Sequence, residues 1–142
     1  MSTEEIVVYV LTALAAVVVV LTRLRLGRGG EGAGRLSMGR GLVNVHTAAG
    51  GLALVTWVAF LVASEDAFLG SSTFGVLSLA FWWVTVIAGL LILVRWRRPK
   101  GRHASAGAAD SWSDGPGLSI LAHVGMLVGV CIFTWAYLQS YV

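Results

Sequence analysis

Four long apolar stretches divide the chain, and short polar segments separate them. The stretches cover residues 6–22, 42–63, 72–94 and 117–139, and none contains Asp, Glu, Lys or Arg. Each is close to the ~20 residues that a helix needs to cross ~30 Å of hydrocarbon. The pattern predicts an all-α fold, an integral membrane four-helix bundle in which residues 1–142 form a single transmembrane domain.

Composition and charge place this bundle in a bilayer and predict its orientation. Hydrophobic residues make up 57% of the chain and charged residues only 12%. All ten Lys and Arg lie in two segments, residues 23–40 and 95–102. Because basic loops stay on the cytoplasmic side, we expect both segments to be cytoplasmic and both termini to be external. The net charge of +3 therefore reflects topology, and the expected partner is membrane lipid rather than nucleic acid.

The residue usage also favours a source and a location. Arg outnumbers Lys nine to one, and Ala, Val and Gly are abundant, which is typical of a G+C-rich bacterium. We therefore expect a multi-pass protein of a bacterial cytoplasmic membrane, the inner membrane where there are two.

Aromatic residues fall at two depths in the predicted spans. Five aromatic residues lie toward helix ends, which predicts interfacial aromatic belts: Trp57, Trp135, Tyr137 and Tyr141 at the outer ends, and Trp96 at the inner end of the third span. Trp82 and Trp83 lie near the middle of the third span, where we expect them to pack against other helices or a ligand.

Two histidines stand out inside the spans. The absence of intramembrane acids and bases disfavours a proton pump or a charge-translocating exchanger, which need such groups. His46 lies about 8 Å into the second span and His123 about 9 Å into the fourth, at 1.5 Å per residue. Since both helices run outward, we expect the two imidazoles to be level, and at matching depth they can face one another across the interior of the bundle. This is the arrangement of a bis-histidine haem b, with one haem per chain.

Residues near each histidine fit such a site. Gly50, one turn after His46, would let a flat macrocycle approach the backbone. Ser119, one turn before His123, would accept the proton of the non-ligating ring nitrogen. Arg40 and Arg95 at the cytoplasmic ends would pair with haem propionates, although the positive-inside rule explains both equally well.

The segment His46 to Gly51, with the letters HTAAGG, and the segment Leu121-Ala122-His123 resemble a known family. They are similar to the haem-bearing helices of four-helix membrane cytochromes b, which include ferric-reductase-like domains and the cytochrome subunits of respiratory dehydrogenases. The resemblance implies haem b ligated by two histidines and a role in electron transfer.

Family members with two haems carry a second histidine about four turns farther along each of these helices. Here those positions hold Ala59 or Phe60 and Ala136 or Tyr137. The resemblance therefore implies one haem near the cytoplasmic leaflet and none near the other.

The sequence leaves more than one function open. The first is a haem-b electron-transfer protein or cytochrome-type anchor, exchanging electrons with a quinone or with subunits of a respiratory or redox complex. In an enzyme it would be the electron-transfer subunit of an oxidoreductase. The alternative is a non-catalytic accessory subunit whose histidines only join helices, and another metal or a quinone site is the third. Cys131 lies about 12 Å along the helix from His123, too far to complete a zinc or copper site.

Overall fold

The computed structural model describes residues 2–28, 40–97 and 116–142. Within these ranges the chain forms four long α-helices and a single 3-10 turn, with no strand. The helices are α1 (Thr3–Arg28), α2 (Arg40–Val62), α3 (Ser72–Arg97) and α4 (Pro116–Leu138). All four are long and apolar enough to cross a membrane. The predicted all-helical membrane architecture is thus confirmed, and each predicted span lies within one helix to within a residue or two.

The helices form a closed four-membered ring. Helix α1 packs against α2 and α4, and α3 packs against the same two helices, so that α1 and α3 occupy one diagonal and α2 and α4 the other. Tyr9 of α1 meets Leu61 of α2, while His46 at the other end of α2 meets Thr85 of α3. Tyr137 near the end of α4 contacts Ser72 at the start of α3, so these helices are antiparallel too, and α2 and α4 are parallel, as expected.

Local hydrogen bonds explain the helix ends. Ser2 Oγ accepts from the backbone N–H of Glu5, and the Glu5 carboxylate accepts from the N–H of Ser2, which forms a capping box before α1. The turn between α2 and α3 passes through Gly70, where a Cβ would overlap the carbonyl group of Ser64. Only glycine fits at that position.

The centre of the bundle is aromatic. Trp57, Trp82 and Phe133 are fully buried, and the rings of Trp57 and Trp82 each pack against Phe133. The expected interhelical packing of Trp82 is confirmed. Trp83 behaves similarly, since its indole N–H donates to Thr134 Oγ1 at 3.2 Å.

The prediction for Trp57 is wrong. We expected this residue in an interfacial belt, yet its side chain has no exposed surface and its indole N–H donates to Thr12 Oγ1 of α1 at 3.1 Å. The physical reason is that the bundle interior supplies what this side chain would find at the interface: a hydroxyl of α1 accepts from its indole N–H, and the rings of Phe60 and Phe133 pack against it. Trp135 and Tyr141 do lie on the surface, with ring centroids 5.2 Å apart.

The two basic segments lie largely outside the described residues. Their side of the membrane, and with it the external position of the termini, stays a prediction.

Candidate functional site

His46 and His123 meet inside the bundle although they belong to diagonally opposite helices. Their ring centroids are 6.0 Å apart and their ring planes differ by 23°. Helices on a diagonal do not touch directly, so only long side chains that point inward reach one another. The equal depth predicted for the two residues therefore corresponds to an actual meeting of the two rings.

A backbone carbonyl of α3 fixes the state of the His46 ring. Nδ1 of His46 lies 2.9 Å from the carbonyl oxygen of Thr85. A carbonyl oxygen only accepts hydrogen bonds, so Nδ1 carries the proton and donates it. In the neutral imidazole the other nitrogen, Nε2, then keeps its lone pair, which is the form that ligates a metal.

Gly89 of α3 is the residue against which both rings lie. A Cβ at this position would be 2.7 Å from Cδ2 and 3.0 Å from Nε2 of His123, and 3.0 Å from Cε1 of His46. Such distances are shorter than van der Waals contact, so any side chain at position 89 would push the rings away.

The same glycine also leaves the Thr85 carbonyl accessible. A side chain in a helix leans back over the preceding turn, so a residue at position 89 would cover the carbonyl at position 85. Gly89 has no side chain, so the Thr85 carbonyl stays open and accepts the hydrogen bond from Nδ1 of His46. The sequence reasoning missed Gly89 and Thr85. The available signal was a glycine within a long helix, where it costs ~1 kcal/mol relative to Ala and so often has a packing reason.

A cavity of about 280 Å³ adjoins the two histidines. Its remaining wall is mostly apolar, with residues from each of the four helices: Val18 and Val19 from α1, Thr47 and Gly51 from α2, Val86 from α3, and Ala122 and Met126 from α4. An apolar cavity with a few polar groups that converge is the usual form of a small-molecule or cofactor site.

The position of the expected glycine notch needs a correction. Gly50 borders the cavity, but a Cβ there would point at α3 and touch Thr85 Cγ2 at 3.4 Å. Gly51 also borders the cavity, and a Cβ there would meet nothing within 4 Å. Since successive residues of a helix differ by about 100° in direction, the open notch lies at Gly51 and Gly50 serves the contact between α2 and α3.

Three predicted site residues lie at helix ends whose side chains are outside the described part of the structure. Arg40 begins α2, Arg95 lies in the last turn of α3, and Ser119 lies one turn before His123 in α4. Their contacts with propionates or with the histidine ring stay predictions. His103 lies outside the described residues altogether.

The described residues contain no group of three or more His, Cys, Asp and Glu able to hold a metal ion. Cys131 is exposed on α4, and Met126 borders the cavity. Within the described ranges, a metal ion between the histidines would thus take two imidazoles from this chain and the rest of its ligands from another source. A planar tetrapyrrole supplies such a set of ligands.

Comparisons with protein-family models, with curated proteins and with solved structures give no match.

Proposed function

We propose that this chain is a membrane electron-transfer protein that binds one haem b through His46 and His123. The observation that carries the proposal is the meeting of two imidazoles from diagonal helices beside an apolar cavity. The four apolar stretches contain no Asp, Glu, Lys or Arg, so the two imidazoles are the groups that distinguish this site chemically.

The spacing of the rings is close to the spacing that two imidazoles on one metal ion would have. Two imidazoles on one metal ion, each with a metal–nitrogen bond of about 2.0–2.1 Å, have ring centroids about 6 Å apart. The observed distance is 6.0 Å. The hydrogen bond from His46 Nδ1 to Thr85 supports the proposal further, because metal-bound histidines normally donate their other N–H to a carbonyl or carboxylate.

Haem in such a site would supply one-electron redox chemistry, and the protein would supply ligation, orientation and a medium of low polarity. His46 and His123 would hold the iron, the Thr85 carbonyl would orient His46, and Gly51 with the apolar residues of the wall would accommodate the macrocycle. Arg40 and Arg95 are proposed partners for the propionates. A quinone or a subunit of a redox complex exchanges the electrons, and in that setting the chain acts as the electron-transfer or anchor subunit of an oxidoreductase.

We further propose a bacterial cytoplasmic membrane location with both termini outside and the site near the cytoplasmic leaflet. Cysteines introduced at Ser2 and Arg28 in a Cys131→Ser background test this orientation in intact cells. A membrane-impermeant thiol reagent should label position 2 and not position 28. Labelling of position 28 alone would reverse the orientation.

One observation favours the second candidate, an accessory subunit with structural histidines. His46 already has a carbonyl partner on a neighbouring helix, and such a bond also stabilises a membrane bundle, by ~0.6 kcal/mol on average. The reduced-minus-oxidised absorption spectrum of the purified protein distinguishes the two. Haem b predicts a Soret and an alpha band, whereas protein purified from haem-sufficient cells without either band would favour the accessory role.

A further inference from the structure

One strongly polar side chain points outward from a membrane-spanning helix. Asn44 lies in α2, whose apolar span begins at Gly41 and ends at Val62. Its side chain is exposed on the surface of the bundle, and its amide makes no hydrogen bond to any residue that the structure describes. At 1.5 Å per residue, Asn44 lies about 5 Å inside the start of this span. The surface of α2 that would face lipid therefore carries an unpaired amide.

An amide in this position is unfavourable in a single copy of the chain. Moving an amide from water into hydrocarbon costs free energy unless a new hydrogen bond replaces those to water. Lys and Arg have long side chains that reach the headgroups, whereas the short side chain of Asn keeps its amide close to the helix. Asn residues in membrane helices therefore bond to polar groups of neighbouring helices. The described helices of this chain supply no such group to Asn44, which favours a partner from a second chain.

The residues next to Asn44 would let another helix come close. About one turn away on either side lie Gly41 and Ala48, both exposed, and a Cβ at Gly41 would meet nothing within 4 Å. Small residues allow two helix backbones to approach, which brings a short amide within hydrogen-bond distance of its partner. The same face continues toward the other leaflet with the exposed residues Leu52 and Val55. These positions, three or four residues apart, form one continuous stripe along α2.

We propose that this stripe of α2 is the contact surface for a second copy of the chain, and that the two Asn44 side chains are hydrogen-bonded to one another. An amide has both N–H donors and an acceptor oxygen, so it complements an identical amide. Two copies inserted in the same orientation are related by a two-fold axis along the membrane normal, which places identical residues opposite one another. The histidines lie inside the bundle, so this inference goes beyond the proposed function and does not depend on haem.

Substitutions at position 44 test the hydrogen bond. Asn44→Leu removes the amide and keeps a side chain of similar size, whereas Asn44→Gln keeps an amide. Sedimentation equilibrium of the full chain in detergent micelles measures the dissociation constant of the dimer. The wild type should be dimeric, and Asn44→Leu should raise the dissociation constant about 5–30-fold. Asn44→Gln should restore most of the affinity. Because position 44 points outward, neither change should alter the helix content.

Cysteine cross-linking in membranes tests which face of the bundle is used. In a Cys131→Ser background, Ala48→Cys lies on the stripe, and Gly125→Cys is a control on α4. Both positions are exposed. Their depths match, because each follows by two residues one of the two histidines that meet, His46 and His123. A disulfide needs two Cα atoms within about 7 Å. Mild oxidation should therefore link two copies through Ala48→Cys and not through Gly125→Cys.

Several results would contradict the inference. A wild type that is monomeric both in detergent and in membranes would overturn it, as would an Asn44→Leu variant that associates as tightly as the wild type. A cross-link through Gly125→Cys alone would place the contact on α4 instead. A cross-link from Ala48→Cys to another protein, with none between two copies, would assign the stripe to a different subunit and exclude the second copy. The haem content of the same preparations tests the haem proposal separately.

Discussion

His46 and His123 meet beside Gly89, and 14 residues farther along the same two helices Phe60 and Tyr137 meet beside Gly75. Gly75 itself precedes Gly89 by 14 residues in the antiparallel α3. Because 14 residues are close to four helical turns, both ring pairs lie on the same side of their helices and face the bundle interior. The two pairs are about 21 Å apart along the bundle axis. The centroid distances are also alike, at 6.0 Å for the histidines and 5.8 Å for the aromatic pair.

The two pairs differ in chemistry and in their surroundings. The histidine rings are 23° apart and border the cavity, whereas the aromatic rings are 58° apart and do not border it. Phe60 is packed against Trp57, and the hydroxyl of Tyr137 donates to the carbonyl of Ser72. At both places two rings meet across the diagonal beside a glycine of α3, and Trp57 and Phe133 meet across the same diagonal as well. Close approach of two rings is therefore by itself a feature of packing. A cofactor site needs two imidazoles and a cavity beside them.

The largest expected effect follows from removing either imidazole. His46→Ala and His123→Ala should each abolish the low-spin haem spectrum of the purified protein, because one remaining axial nitrogen does not make the six-coordinate low-spin state. His103→Ala, Phe60→Ala and Tyr137→Ala serve as controls and should retain the spectrum. Full retention in either His46→Ala or His123→Ala would exclude that residue as a ligand.

A second prediction exchanges the chemistry of the aromatic pair. The double variant Phe60→His/Tyr137→His places imidazoles at both positions but creates no cavity of the size found beside His46. We expect one haem per chain, as in the wild type, and a loss of about 2–4 kcal/mol of stability from lost aromatic packing and buried polar rings. Thermal denaturation in detergent and haem content measure the two quantities. Two haems per chain would mean that a pair of imidazoles binds haem without a cavity of this size, which would contradict the distinction between the two ring pairs.

A smaller effect is expected from Gly75→Ala. The added methyl group overlaps the rings of Tyr137 and Phe60, and overpacking of this kind typically costs about 1–3 kcal/mol. Haem content should be unchanged because the overlap lies at the far pair. A variant as stable as the wild type would show that the aromatic pair moves aside freely. Gly75 would then not be required for the packing of the rings beside it.

The smallest effect is expected from Tyr137→Phe, which removes one hydrogen bond and keeps the ring. The hydroxyl of Tyr137 is 2.7 Å from the carbonyl oxygen of Ser72. Removing such a bond in a membrane protein costs roughly 0.6 kcal/mol, so the melting temperature should fall slightly while the haem spectrum is retained. A loss comparable with that of Gly75→Ala would mean that the hydroxyl, rather than the ring, holds this end of α4.

The fold was largely predictable from the sequence, because a span of about 20 apolar residues has one stable form in a bilayer, the helix. The level positions of His46 and His123 followed from the lengths of two helices. The rotation of each helix about its axis did not follow, since the lipid-facing and the core-facing sides are both apolar and periodicity carries little information. This is why the notch was expected at Gly50 rather than Gly51, why Trp57 was placed at the surface, and why Gly89 was missed.

The most direct test of the account is the number of haems per chain in the purified wild-type protein. A pyridine haemochrome assay, with protein concentration from amino-acid analysis, gives this number without any assumption about ligands. One bis-histidine site beside the cavity, and an aromatic pair at the corresponding far position, predict one haem b per chain. Protein from haem-sufficient cells with no haem would contradict ligation by His46 and His123, and two haems per chain would reveal a second pair of ligands.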